Sequence, residues 1–136
     1  MEEMIIKSTK VSVNAKAEEI ASFLEDANNI EHLLPKDKIQ DFKATVKECS
    51  FRVQQGVTIS LIEDGREGNE KVFLKSGERA PFKFSLTIYL SETDQGTEGY
   101  IEFNGQVNSF LKLMVEKPLT NLFNYMSEQL QELFKA

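Results

Sequence analysis

NSFLKLMVEKPLTNLFNYMSEQLQELF, residues 108–134, is the longest helical pattern in the chain and its densest concentration of large apolar side chains. Advancing about 100° per residue, Val115, Leu119, Leu122, Phe123, Met126, Leu130, Leu133 and Phe134 form one broad stripe. Phe110, Leu113 and Met114 fall on roughly the opposite side, and Pro118 stands between the two sets. An internal proline removes the N–H bond to the carbonyl four residues back, here that of Met114, and usually bends the axis. The helix is therefore expected as two segments: one closing the core, and an earlier one aiming a second apolar patch elsewhere. Asn108 or Ser109 can cap its start.

Before this helix the chain reads as antiparallel strand and turn. Phe82, Phe84, Leu86, Ile88 and Leu90 share one face of a strand over residues 82–90, with Lys83, Ser85, Thr87 and Tyr89 on the other. A turn at 93–96 leads into a strand over 97–105, with Ile101 and Phe103 opposite Tyr100 and Glu102. Such one-sided alternation belongs to a sheet with one covered face and one facing water. Upstream, strands are predicted over 40–47 (Phe42, Ala44 and Val46 on one face), 48–53 (Cys49, Phe51, Val53), 57–63 (Val57, Ile59, Leu61) and 70–75. Turns or loops are predicted at 54–56, 64–69 and 76–81 from their glycine and polar content. The N-terminal residues 4–13 form a further strand, with Val11 and Val13 on one face. Asn14 is a candidate N-cap for a short helix carrying Ala17, Ile20, Ala21, Phe23 and Leu24, with Glu18 and Glu19 near its positive end. Residues 26–29 interrupt it, and one more turn over 30–34 stops at Pro35.

The 136 residues and 15.5 kDa suit one domain spanning 1–136, able to bury roughly two thirds of its unfolded surface without staples. Ten Phe against three Tyr and no Trp point to an interior with few polar atoms, either a core or an apolar cavity. The net charge of −6 carries no basic stripe, so neither nucleic acid nor an anionic membrane is an expected partner. The apolar runs are too short to span a bilayer, and MEEMIIKSTK lacks the basic and long apolar regions of a signal peptide. Cys49 is the one cysteine and cannot form an internal disulfide, so a cytoplasmic location is expected.

ValSerValAsnAlaLysAlaGluGluIle at 11–20, LeuLeuPro at 33–35, and LysProLeu at 117–119 with the stripe that follows resemble elements of the START-like, or SRPBCC, superfamily. These stretches look like its strand-to-helix junction, its second-helix exit and its long closing helix. The resemblance covers the whole chain and implies an α+β helix-grip fold. In it, a curved seven-stranded antiparallel sheet wraps the C-terminal helix, with two short helices between strands 1 and 2. It also implies a cavity between sheet and helix, used in this superfamily for sterols, lipids, quinones, polyketides or hormones. None of the three stretches is a catalytic signature, so the likeness concerns fold.

Phe51, Phe84, Leu86, Ile88, Phe103, Leu122, Phe123 and Met126 should share the interior, as a filled core or as the wall of a pocket for a hydrophobic small molecule or lipid. Phe110, Leu113 and Met114 are the candidate portal, or a patch for a homodimer or other partner. No metal or cofactor is expected: His32 is the only histidine, so no His cluster or His-containing triad can form within one chain. Cys49 lies on the apolar parity of its strand and reads as a buried, inert thiol. Gly65 and Gly68 lack the context of a phosphate-binding loop and read as turns. Arg52, Tyr89, Tyr100 and Glu102 fall opposite the apolar faces of their strands. A register shift turning Glu102 or Tyr100 inward would support a cyclase- or dehydratase-like acid/base role on a polyketide-type substrate. No catalytic constellation is visible otherwise.

Overall fold

The alternating segments pair into one antiparallel sheet in a computed structural model that describes residues 2–53 and 57–135. The elements are β1 (Glu2–Lys7), β2 (Val11–Val13), α1 (Ala17–Glu25), a 3-10 helix (Ala27–Leu33), a second short one (Lys36–Lys38), β3 (Ile39–Ala44), β4 (Glu48–Val53), β5 (Val57–Glu67), β6 (Lys71–Ser76), β7 (Phe84–Thr93), β8 (Gly96–Val107) and α2 (Ser109–Leu133). The sheet order is β1-β8-β7-β6-β5-β4-β3, with β2 also on β8. Helix α2 packs on β1, β2, β8 and the first 3-10 helix, so the α+β arrangement of a sheet gripping a C-terminal helix is present. The turn expected at 54–56 lies outside the described residues.

The single first strand expected over 4–13 divides in two, which makes eight strands of seven. Lys7 pairs with Glu102 and Val11 with Gly99, four steps on one side against three on the other, so one extra residue is accommodated. The core-facing positions accordingly switch from Met4 and Ile6 to Val11 and Val13. Ser8 holds the break. Its N–H donates to the Ile101 carbonyl at 2.8 Å, and its Oγ accepts from the Ile101 N–H at 2.8 Å. The same Oγ lies 2.6 Å from Ser127 Oγ on α2, while the Thr9 N–H donates to Asn124 Oδ1 at 2.9 Å. The backbone groups freed by the break are thus used to tie the sheet to the closing helix.

Several boundaries differ from expectation for local reasons. Asn14 does not cap α1; the N-cap is Lys16, without a side-chain bond, and the Ala15 carbonyl instead accepts from Thr97 Oγ1 at 2.7 Å. Residues 27–33 are a 3-10 helix capped by Asp26, whose carboxylate accepts from the Asn28 N–H at 3.0 Å. Strand β3 ends at Ala44, and Val46 is exposed instead of sharing the face of Phe42 and Ala44. Thr45 Oγ1 accepts from the N–H groups of Lys47 and Glu48 and turns the chain there. Residues 64–69 are not one turn. Strand β5 continues to Glu67 through a register shift that contains Gly65 at φ 88°, and Gly68 at φ 54° begins the turn proper. Strand β7 starts at Phe84, leaving Phe82 in the preceding loop, where its ring leans on Phe84 and Phe103.

Helix α2 is continuous across Pro118, so the expected division into segments lies in burial and not in the backbone. Val115, Leu119, Leu122, Phe123, Met126 and Leu130 are buried. The stripe outruns the core at its end: Leu133 is exposed, and Phe134 instead meets Phe23 of α1 edge-on at 5.6 Å. At its start Asn108 Oδ1 accepts from the Leu111 N–H at 2.8 Å, and Ser109 Oγ donates to the Glu2 carboxylate. Asn108→Ala is expected to cost about 1 kcal/mol through the lost cap, read as a lower urea midpoint with an unchanged slope.

Candidate functional site

The eight interior residues come from both sides of the grip. Phe84, Leu86, Ile88 and Phe103 project from paired positions of β7 and β8, Phe51 from β4, and Leu122, Phe123 and Met126 from α2. All eight are buried, with Leu86 and Phe103 wholly so. The Phe103 ring stacks on Phe123 at 5.3 Å and lies 4.9 Å from Phe84, while Phe51 stacks on Phe42 at 6.2 Å. Leu122 reaches a groove at the start of α2, and Phe51 backs a smaller depression beside Asp41 and Arg52. The other six border neither.

The groove at the start of α2 has a volume of about 520 Å³, within the usual range for ligand sites. Its apolar wall is Pro35, Val53, Leu113, Met114, Pro118 and Leu122; its polar wall is Lys38, Lys117, Asn121 and Tyr125. Leu113 is 83% exposed and Met114 56%, because on α2 they face away from the sheet that buries Val115 and Leu119. Two of the three predicted portal residues therefore border the groove. Phe110, 73% exposed, does not. Leu113, Lys117, Asn121 and Tyr125 recur every four residues, a row along one helix face. That row was a signal available in the sequence; the arrival of Pro35, Lys38 and Val53 opposite it was not.

Tyr89, Tyr100 and Glu102 stay on the outer face of the sheet, so the inward placement that an acid/base role requires is not present. Tyr89 and Tyr100 stack at 4.8 Å across β7 and β8, with Lys71 Nζ 5.6 Å over one ring and Lys10 Nζ 5.8 Å over the other. This ladder crosses the sheet and adds cation–π attraction to cross-strand stacking. Glu102 is 3.6 Å from Lys7 Nζ. The Tyr89 hydroxyl titrates above its ordinary range, chiefly through desolvation and then the negative charge of Glu102. The ladder edges a groove of about 700 Å³, which also holds Glu70, Glu92 and Glu98. Arg52 is exposed on β4.

Cys49 is buried, and its thiol is pushed up to about 12 by burial and secondarily by Glu48. It stays protonated at neutral pH, which disfavours nucleophilic chemistry. His32 is exposed in the last turn of the first 3-10 helix. Among the described residues no group of three or more His, Cys, Asp or Glu could hold a metal ion, and no helix is long and apolar enough to cross a membrane.

No protein-family model matches the chain, and no curated protein sequence matches it. Solved structures do. The KanY protein superposes with a TM-score of 0.76 at 12% identity, covering 100% of both chains. Norcoclaurine synthase of Thalictrum flavum, a point mutant in complex with a transition-state analogue, gives 0.71 at 13% identity, covering 98% of this chain and 94% of its own. A START superfamily protein of Mycobacterium smegmatis gives 0.65 at 13% identity, covering 95% of this chain and 98% of its own. Identities this low speak to architecture, and together with the sheet order and the long closing helix they establish that the chain has the START-like helix-grip fold.

Proposed function

We propose that this protein binds a hydrophobic small molecule or lipid, and that the groove at the start of α2 receives it. The observation that carries this reading is the exposure of Leu113 and Met114 along a groove whose apolar wall continues into the core at Val53 and Leu122. Covering a Leu or Met side chain is worth about 1.5–3 kcal/mol, so two such residues are an apolar surface in want of a cover. Methionine adapts to irregular ligand shapes. Leu122 also belongs to the interior set proposed to contact the ligand.

The test is native mass spectrometry of freshly purified protein with extraction of any bound compound, on the wild type and on Met114→Ser. The substitution lies at an exposed position, so the fold is expected to survive. Affinity for an apolar ligand should fall at least about tenfold, the equivalent of one lost apolar contact. Equal loading of both proteins, or an empty wild type under all conditions, would sink the reading.

A second reading is favoured by Phe110, whose 73% exposure lies outside the groove. With Leu113 and Met114 it makes a patch on which a second copy can seat. Three side chains are few beside the roughly 800 Å² per partner of a stable interface, which ranks this reading second. Sedimentation that stays monomeric across concentration removes it.

A further inference from the structure

We propose that the groove at the start of α2 selects a single-chain amphiphile with an anionic head, taken up as a free molecule, the head lying between Lys38 and Lys117 and the chain on Leu113, Met114 and Val53. This rests on the reading of that groove as the hydrophobic-ligand site and adds the charge of the ligand to it.

Charge complementarity carries the assignment. The protein has a net charge of −6, and three other depressions in its surface mix the two signs. One sets Glu48 and Glu78 against Lys43 and Arg79; the groove at the tyrosine ladder sets three glutamates against two lysines; the small depression sets Asp41 among Lys43, Arg52 and Arg79. Among the described residues, the groove at α2 is lined by Lys38 and Lys117 and by no carboxylate. The sequence neighbours Asp37 and Glu116 are exposed but do not line it. Among the described residues neither lysine has an ion-pair partner within the protein.

At physiological salt the Debye length is about 8 Å, so distant carboxylates are screened while two lysines bordering the groove still act on a head bound there. Lysine also fits an amphiphile at both ends. Its four-carbon stem lies along an apolar chain while the ammonium stays at the polar rim. Asn121 and Tyr125 line the same groove, and an amide and a phenol are groups able to hydrogen-bond such a head.

A free molecule fits better than a membrane surface. Recognition of anionic membranes uses clusters of roughly 4–8 basic residues, and here two lysines stand in an acidic protein.

The test compares dodecanoate with dodecan-1-ol, equal in chain length and different in head charge, by titration calorimetry on the full chain below the micelle concentration. Dodecanoate is expected to bind about tenfold tighter at low salt, and the advantage should shrink toward unity at about 0.5 M salt. Lys38→Gln and Lys117→Gln should each remove about threefold and together most of the advantage, a scale set by exposed ion pairs. Dodecanol, which has no charge to lose, should weaken far less than dodecanoate in both variants, by no more than the shortened side-chain stems account for. Equal binding of the two ligands to the wild type overturns the proposal and leaves the hydrophobic-ligand reading standing, as does an advantage that survives the double substitution. If neither ligand binds, both readings fall. Binding to phosphatidylserine vesicles without binding of dodecanoate would overturn the proposal in favour of a membrane surface.

Discussion

Phe103→Ala is expected to lower the unfolding free energy by about 3–5 kcal/mol, the largest effect of any single truncation proposed for this protein. Phe103 has no exposed surface, and it is enclosed from three directions. Phe84 lies beside it on β7, Phe82 covers it from the loop ahead of that strand, and Phe123 stacks on it from α2. Removing the ring takes contacts from the sheet and the helix at once, and neither can close the gap without moving the other. The cavity term therefore adds to the transfer term instead of relaxing away. In thermal melts the loss corresponds to a fall in Tm of roughly 10–15 °C for a domain of this size. Phe103→Leu keeps most of the volume and should cost less than half as much. A midpoint shift in urea equivalent to under about 1 kcal/mol for the alanine variant would mean that the ring is not held between sheet and helix as described.

Gly96→Ala should cost up to about 3 kcal/mol, from backbone strain and a direct overlap. Gly96 closes the β7–β8 hairpin, paired with Thr93, and sits at φ 136°, a conformation that L side chains rarely adopt. A Cβ there would also strike the Val13 carbonyl oxygen of β2. The hairpin and the short strand laid against it cannot both keep their places. Gly68→Ala is the matched control, since Gly68 has positive φ but open space around it. It should show the conformational cost alone, about 1–2 kcal/mol. Equal destabilisation by the two substitutions would remove the overlap with Val13 from the account.

The helix grip was legible because its signals are periodic. Alternation placed Phe84, Leu86, Ile88, Ile101 and Phe103 on the covered face, and the 3.6-residue period placed Leu119, Leu122, Phe123 and Met126 on the closing face, without knowledge of any partner. The same logic put Tyr100 and Glu102 outside. Where the chain departs from strict period, the reading slipped. The extra residue at the Ser8 break splits the first strand, the one around Asp41 bends β3, and the one at Gly65 carries β5 past its expected end. Each bulge is decided by how two strands fit across the sheet, so nothing in either strand's own pattern announces it.

The candidate site follows the same rule. Residues 108–134 suffice to place Phe110, Leu113 and Met114 away from the core, because the direction of a side chain on a helix depends on spacing alone. They also contain the row Leu113, Lys117, Asn121 and Tyr125. They do not contain the opposite wall. Pro35 and Lys38 arrive from the two ends of the second short helix and Val53 from β4, brought there by the first 3-10 helix, which packs on both β4 and α2. The direction in which an exposed helix face points is a local property of the chain. Whether that face borders a groove, and what charge lies across it, depends on residues far away in sequence, which only packing brings within reach.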